Sequence, residues 1–153
     1  MRDSHFIALA LQEAERAFAK NEVPVGAVAV QAGKVIARAH NIRETTNDPL
    51  GHAELLLLKK LAKKLKSWRL DDVTIYVTLE PCLMCMGALL QARVGRLVFG
   101  AMDPKAGACG SLYDLSSDTR LNHQIAITTG VQAEACGKIL QRFFKELRNR
   151  KQH

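Results

Sequence analysis

The chain has 153 residues, 48% hydrophobic and 24% charged, with a formal net charge of +7. That length suits one domain with a sizeable core, and the composition is globular, not disordered or fibrous. No apolar run reaches the roughly 18 residues of a membrane helix; the basic excess suits a polyanionic partner without choosing between RNA and DNA.

Residues 3–20 read as an amphipathic helix, with Ile7, Leu11, Ala14, Ala17 and Phe18 at helical spacing. Asp3 or Ser4 can cap its start, and Asn21 with Pro24 ends it. Residues 25–31 and 35–40 read as strands joined by a turn at Ala32-Gly33, the first apolar enough for an interior strand. Residues 41–51, rich in Asn, Thr, Asp, Pro and Gly, read as a loop. A helix over 52–65 carries four leucines from Leu55 to Leu58. Lys59, Lys60, Lys63, Lys64 and Lys66 then read as a solvated face.

A strand over 72–79, a helix over 82–93 and a strand over 95–101 follow. Residues 102–122 form a long loop, of the kind that often carries function. A last strand spans 123–128 and a last helix 131–150. In that helix Phe143 and Phe144 are adjacent, so one points inward and the other outward. Its basic set, Lys138, Arg142, Lys145, Arg148 and Arg150, with Lys151 just beyond, is the better phosphate-binding candidate. The order predicts a single domain over 1–153, a central sheet with helices on its faces. The later strand-helix-strand units should be parallel with right-handed crossovers.

Two short motifs carry the chemistry: His52-Ala53-Glu54 and Pro81-Cys82-Leu83-Met84-Cys85. One imidazole and two sulfurs suit zinc, and three protein ligands leave a fourth position open for water, as catalytic sites do. Both motifs fall at predicted helix starts, where the helix dipole favours the thiolate that binds metal. Residues two apart on a regular helix point away from each other, so His52 and Glu54 should straddle the helix cap. Glu54 is then free to act as base and acid on the bound water. A disulfide framework is the weaker reading, because two of the four cysteines form Cys-x-x-Cys and the N-terminus shows no signal-peptide pattern. Cys109 and Cys136 read as small apolar fillers. His5, His40, His123 and His153 read as ordinary histidines. Together the motifs match the H-x-E…P-C-x-x-C signature of zinc deaminases.

The match extends further. Asn21-Glu22-Val23-Pro24-Val25-Gly26-Ala27, Asp48-Pro49-Leu50-Gly51-His52-Ala53-Glu54, Tyr76-Val77-Thr78-Leu79-Glu80-Pro81-Cys82, Val98-Phe99-Gly100-Ala101 and Gly107-Ala108-Cys109-Gly110-Ser111-Leu112 resemble bacterial tRNA-specific adenosine deaminases, within the cytidine-deaminase-like superfamily. The resemblance runs from about Phe6 to Phe144. It implies a three-layer α/β/α fold with a mixed five-stranded sheet. It implies zinc held by His52, Cys82 and Cys85, and Glu54 as proton shuttle. The implied reaction turns adenosine into inosine at the wobble position of a tRNA anticodon, in a homodimer; the N-terminus and the lack of a membrane-length run lead us to expect a cytoplasmic protein without a membrane partner, and no DNA partner is expected. By position, Asn41 resembles the family's base-contacting asparagine and Asp103 its aspartate near the sugar; Phe144 and Arg148 sit where the last helix approaches the anticodon loop. Gly51, Met102 and Cys109 depart from the family's usual residues. Two alternatives use the same zinc set. One is a deaminase of a free base or nucleotide, such as guanine or cytosine. The other is a non-catalytic RNA-binding domain whose structural zinc takes a fourth ligand, with Cys109 as the candidate.

Overall fold

The structure is a computed structural model and describes residues 2–151. In chain order the elements are α1 (Arg2–Ala19), β1 (Gly26–Gln31), β2 (Lys34–His40), α2 (Arg43–Thr46), α3 (Ala53–Leu65), β3 (Val73–Leu79), α4 (Leu83–Gln91), β4 (Arg96–Ala101), β5 (Ala126–Thr128) and α5 (Ala133–Lys151). The strands form one sheet in the order β2-β1-β3-β4-β5. β1 runs antiparallel to both β2 and β3, whereas β3–β4 and β4–β5 are parallel. Parallel pairing of the later units is the arrangement the sequence predicts.

Interior strands buried on both faces carry apolar residues at nearly every position, and alternation then decides which helix layer each side chain meets. Ala27 and Ala29 of β1, Ile75 and Val77 of β3, and Leu97 and Phe99 of β4 pack with Leu57, Leu61, Met86 and Leu89 of α3 and α4. The intervening Val28, Val30, Tyr76 and Val98 pack with Phe6, Ile7 and Ala10 of α1 and Cys136 of α5. Two helices thus cover each face, in three layers. α1 approaches β1 closely at Gly26, where a Cβ would stand 2.0 Å from the Ala10 carbonyl oxygen.

Three details differ from the sequence reading. Residues 43–46 of the predicted loop are helical. The last strand begins at Ala126, not 123, because Ile125 N–H donates to Ser116 O at 3.1 Å and His123 Nε2 donates to Val94 O at 2.8 Å. α5 begins at Ala133, after Gly130 and Gln132 take positive φ (78° and 51°) and turn the chain. The lysines of α3 are also not simply solvated. Lys60 Nζ donates to Arg38 O at 2.6 Å and Lys64 Nζ to Ile36 O at 2.8 Å, both on edge strand β2.

Candidate active site

α3 and α4 lie on the same face of the sheet, and their first turns meet. His52 is the N-cap of α3, with extended backbone (φ −80°, ψ 146°), and Glu54 is inside the first turn. The cap therefore separates the two side chains, as the spacing argument requires. Cys82 is likewise the extended N-cap of α4 (φ −77°, ψ 178°), and Cys85 follows within the first turn. Pro81, lacking an amide hydrogen, sits one residue before that cap, and its carbonyl accepts from Ala108 N–H at 2.9 Å.

His52 Nδ1 lies 3.7 Å from Cys82 Sγ and 3.4 Å from Cys85 Sγ. Zinc bonds of ordinary length at tetrahedral angles place a nitrogen and a sulfur about 3.6 Å apart, so this donor set fits the ion. All three ligand atoms lie within 4.8 Å of one another. Cys109 is not in the group. It is buried, pushed up to about 11 chiefly by burial, and bridges by backbone to Asp114. Cys109 thus fills space as its sequence suggested, and the structural-zinc alternative does not find its fourth ligand there.

The electrostatics suit a cation. The hydrogen bond from Cys85 holds Cys82 down at about 4, burial opposes this, and His52 adds to it. Cys85, which gives that hydrogen bond and is itself buried, is pushed far up. The bond to Cys82 raises His52 above its usual range, against its burial. The pair thus holds one thiolate beside a proton-rich imidazole, ready to exchange protons for a metal. Glu54 is buried, and burial pushes its carboxyl up to about 7.

His52, Glu54 and Cys82 line a cavity of about 210 Å³, and Cys85 is fully buried beside them. One wall carries Asn41 and Arg43, the other Asp103 and Ala106, with Val23 and Leu79 supplying apolar surface. Asn41 is buried and works in its wall: Nδ2 donates to Val23 O at 3.2 Å, and Oδ1 accepts from Arg43 N–H at 3.1 Å. Asp103 Oδ1 accepts from the N–H groups of Lys105 and Ala106, closing a turn in the loop. Phe144 and Arg148 are exposed on α5 and do not line the cavity. Phe143 is buried and Phe144 is 41% exposed, so the adjacent pair divides inward and outward. Among the described residues Arg148 and Lys145 make no ion pair, whereas Lys138 pairs with Glu134 and Arg142 with Glu15. His40 is held between Glu13 and Lys20, and His5 packs on Phe6. His153 lies outside the described residues.

Sequence reasoning assigned no role to two buried carboxylates. Glu22 accepts from the N–H groups of Glu44 and Thr45 and from the Thr45 hydroxyl, fastening α2 beside Asn41. Glu80 accepts from Asp103, Cys109 and Ser111 of the loop after β4. Burial alone would raise each, but their hydrogen bonds outweigh it and hold both below the usual carboxylate range. A charged residue beside a motif in an otherwise apolar stretch was the available signal.

Comparisons agree with this geometry. The family model of the MafB19-like deaminases matches residues 1–148. The tRNA-specific adenosine deaminase of Bacillus subtilis (strain 168) is 49% identical over 150 residues, covering 98% of this chain and 93% of the relative. A solved structure from work on A-to-I editing by tRNA:A34 deaminases at the wobble position of transfer RNA superposes with a TM-score of 0.85 at 41% identity, over 89% of this chain and 99% of that one. A guanine deaminase from Nitrosomonas europaea shares the fold, with a TM-score of 0.77 at 22% identity over 92% and 83% of the two chains. The five-stranded mixed sheet between helix layers is therefore the cytidine-deaminase-like fold. The chain belongs to this deaminase family, alongside the bacterial tRNA-specific adenosine deaminases.

Proposed function

We propose that this chain deaminates adenosine to inosine at the wobble position of a tRNA anticodon, using one zinc ion per subunit, as a cytoplasmic homodimer. The observation that carries this reading is three donors spaced for one metal, two of them lining a cavity beside a buried carboxylate. Its support in substrate class is the family's tRNA deaminases, similar over nearly the whole chain.

His52, Cys82 and Cys85 hold the ion. When bound, zinc supplies the Lewis acidity that lowers the pKa of a ligated water from 15.7 to about 7. Glu54 handles the protons. It takes one from the water and gives it to a ring nitrogen as oxygen bonds to C6, then moves the proton of the new C6 hydroxyl to the amine as the carbonyl forms, the C6–N bond breaks and ammonia leaves. One buried carboxylate that alternates between base and acid can serve every proton transfer. Asn41 and Asp103 contact the base and its sugar from opposite walls. An outward Phe144 stacks on a loop base and Arg148 meets phosphate. An anticodon-loop base is already unpaired, which spares the cost of extruding it from a duplex.

Self-association is supported by Trp68, which stands 62% exposed beside a groove lined by Leu58, Leu70 and Ala88. No described helix is long and apolar enough to cross a membrane.

The test is direct. The zinc-loaded protein is incubated with an RNA anticodon stem-loop bearing adenosine at the wobble position, with Glu54→Ala as control, and the product is sequenced. Inosine at that position alone, absent in the control, is the expected result. No inosine, with turnover of a free base instead, would transfer the activity to a small-molecule substrate.

A further inference from the structure

We propose that Glu80 is a positioning residue for this deaminase, holding the loop that carries Asp103 in place against the Cys82 segment. The proposal rests on the deaminase reading above. Glu80 follows the last residue of β3 and lies two residues before Cys82. Its side chain is 2% exposed and forms part of the cavity wall. Among the described residues no cation pairs with it; its charge is met by loop donors alone. Oε1 accepts from Asp103 N–H at 2.9 Å and from the Ser111 hydroxyl, and Oε2 accepts from Cys109 N–H at 2.9 Å and Ser111 N–H at 3.0 Å.

One carboxylate thus gathers a segment running from Asp103 to Ser111. The segment bends around it so closely that only glycine fits at its middle. A Cβ on Gly107 would stand 2.2 Å from Glu80 Cδ. The same Gly107 bridges by backbone to Cys82, and Ala108 N–H donates to Pro81 O. The loop therefore has two attachments, one to the backbone of the sulfur-bearing turn and one to Glu80. The second includes the Asp103 amide and fixes where that wall stands. Charge-assisted hydrogen bonds to a buried carboxylate are the strong kind, and their loss frees the donors together. Without Glu80 the loop keeps its own turns and its backbone tie to Pro81 and Cys82, but loses the bond that holds the Asp103 amide.

The experiment compares the parent with Glu80→Ala and Glu80→Gln, loaded with zinc. It reads metal content, amide hydrogen exchange and steady-state kinetics on the stem-loop RNA. In Glu80→Ala, exchange at Asp103, Cys109 and Ser111 rises about 100-fold while sheet amides and one equivalent of metal are kept. KM rises about tenfold or more, and kcat stays within about threefold. Glu80→Gln, which keeps one oxygen and its two bonds, falls between. Unchanged loop protection, loss of the metal, or a fall in kcat at constant KM would overturn the assignment. Should Glu80→Ala fail to fold, Ser111→Ala, which removes the hydroxyl donor, gives the same contrast in smaller steps. A parent without turnover on RNA counts against the proposed substrate, and loop protection in the variants then decides the role of Glu80 by itself.

Discussion

His52 and Cys85, 33 positions apart in the chain, bring Nδ1 and Sγ to 3.4 Å across the starts of α3 and α4. A bound ion would clamp the starts of two helices whose apolar faces pack in the same core. Ligand at about 1,000 times its dissociation constant adds about 4 kcal/mol to stability, or about 10 °C for a chain of this size. We expect zinc to raise the melting temperature of chelator-treated protein by that order, and cobalt to bind one equivalent with thiolate charge-transfer absorption. Cys85→Ala should lose both effects. A Cys85→Ala protein that still holds one equivalent of zinc would remove this residue from the ligand set.

Glu54 sets function against stability. Glu54→Gln should keep the fold and the metal, yet lose turnover by about 10²–10⁴, the usual contribution of a positioned acid-base group. In the metal-free protein, burial pushes this carboxyl from 4.5 up to about 7. A carboxyl raised in the folded state favours folding below about pH 4.5, and that contribution is lost as pH rises through about 7. At pH 8 the ionised group then costs roughly 3 kcal/mol. Urea melts of the metal-free proteins should show Glu54→Gln more stable than the parent at pH 8, with the gap closing toward pH 5. A variant weaker than its parent at pH 8 would contradict the burial argument.

The parts of the fold written in local pattern were readable. The nearly unbroken apolar run over residues 25–30 marks an interior strand, and Pro81-Cys82 marks a helix start in its own residues. What was not readable depends on distant partners. The first-turn N–H groups of α2 are met by Glu22, some twenty residues earlier, and by Asn41, so no four-residue window could announce that helix. Lys60 and Lys64 resemble any solvated pair until β2 is placed beside them. Asn41 and Asp103 were readable only through the family's pattern, because each hydrogen-bonds its own wall as an ordinary turn residue would.

Those two lysines protect an open sheet edge. Lys60 and Lys64 occupy the carbonyls of Arg38 and Ile36, which would otherwise face a second strand. Each exposed bond adds only about 0.5 kcal/mol to folding, so Lys60→Ala with Lys64→Ala should cost about 1 kcal/mol in a urea melt. The larger consequence should be association, seen by sedimentation as species beyond the parent's own assembly at high concentration. Unaltered sedimentation at equal stability would mean the edge is guarded by something else.

Asp3 ties the start of α1 to the sheet. It accepts from Arg96 at 2.9 and 2.7 Å and from the Tyr76 hydroxyl at 2.9 Å. The Arg96 hydrogen bond holds its carboxyl below the usual 3.8, against partial burial. A carboxyl lowered in the folded state stabilises above its unfolded value, and the effect disappears as pH falls through the folded value. Both partners are partly exposed, 27% and 36%, so solvent screening limits the contribution to about 1 kcal/mol. Asp3→Asn should therefore melt about 3 °C below the parent at pH 7. The difference should hold down to about pH 4 and close below it, as the parent's own carboxyl takes up its proton. A difference that persists unchanged to pH 2 would trace the loss to the geometry around Tyr76 and not to charge.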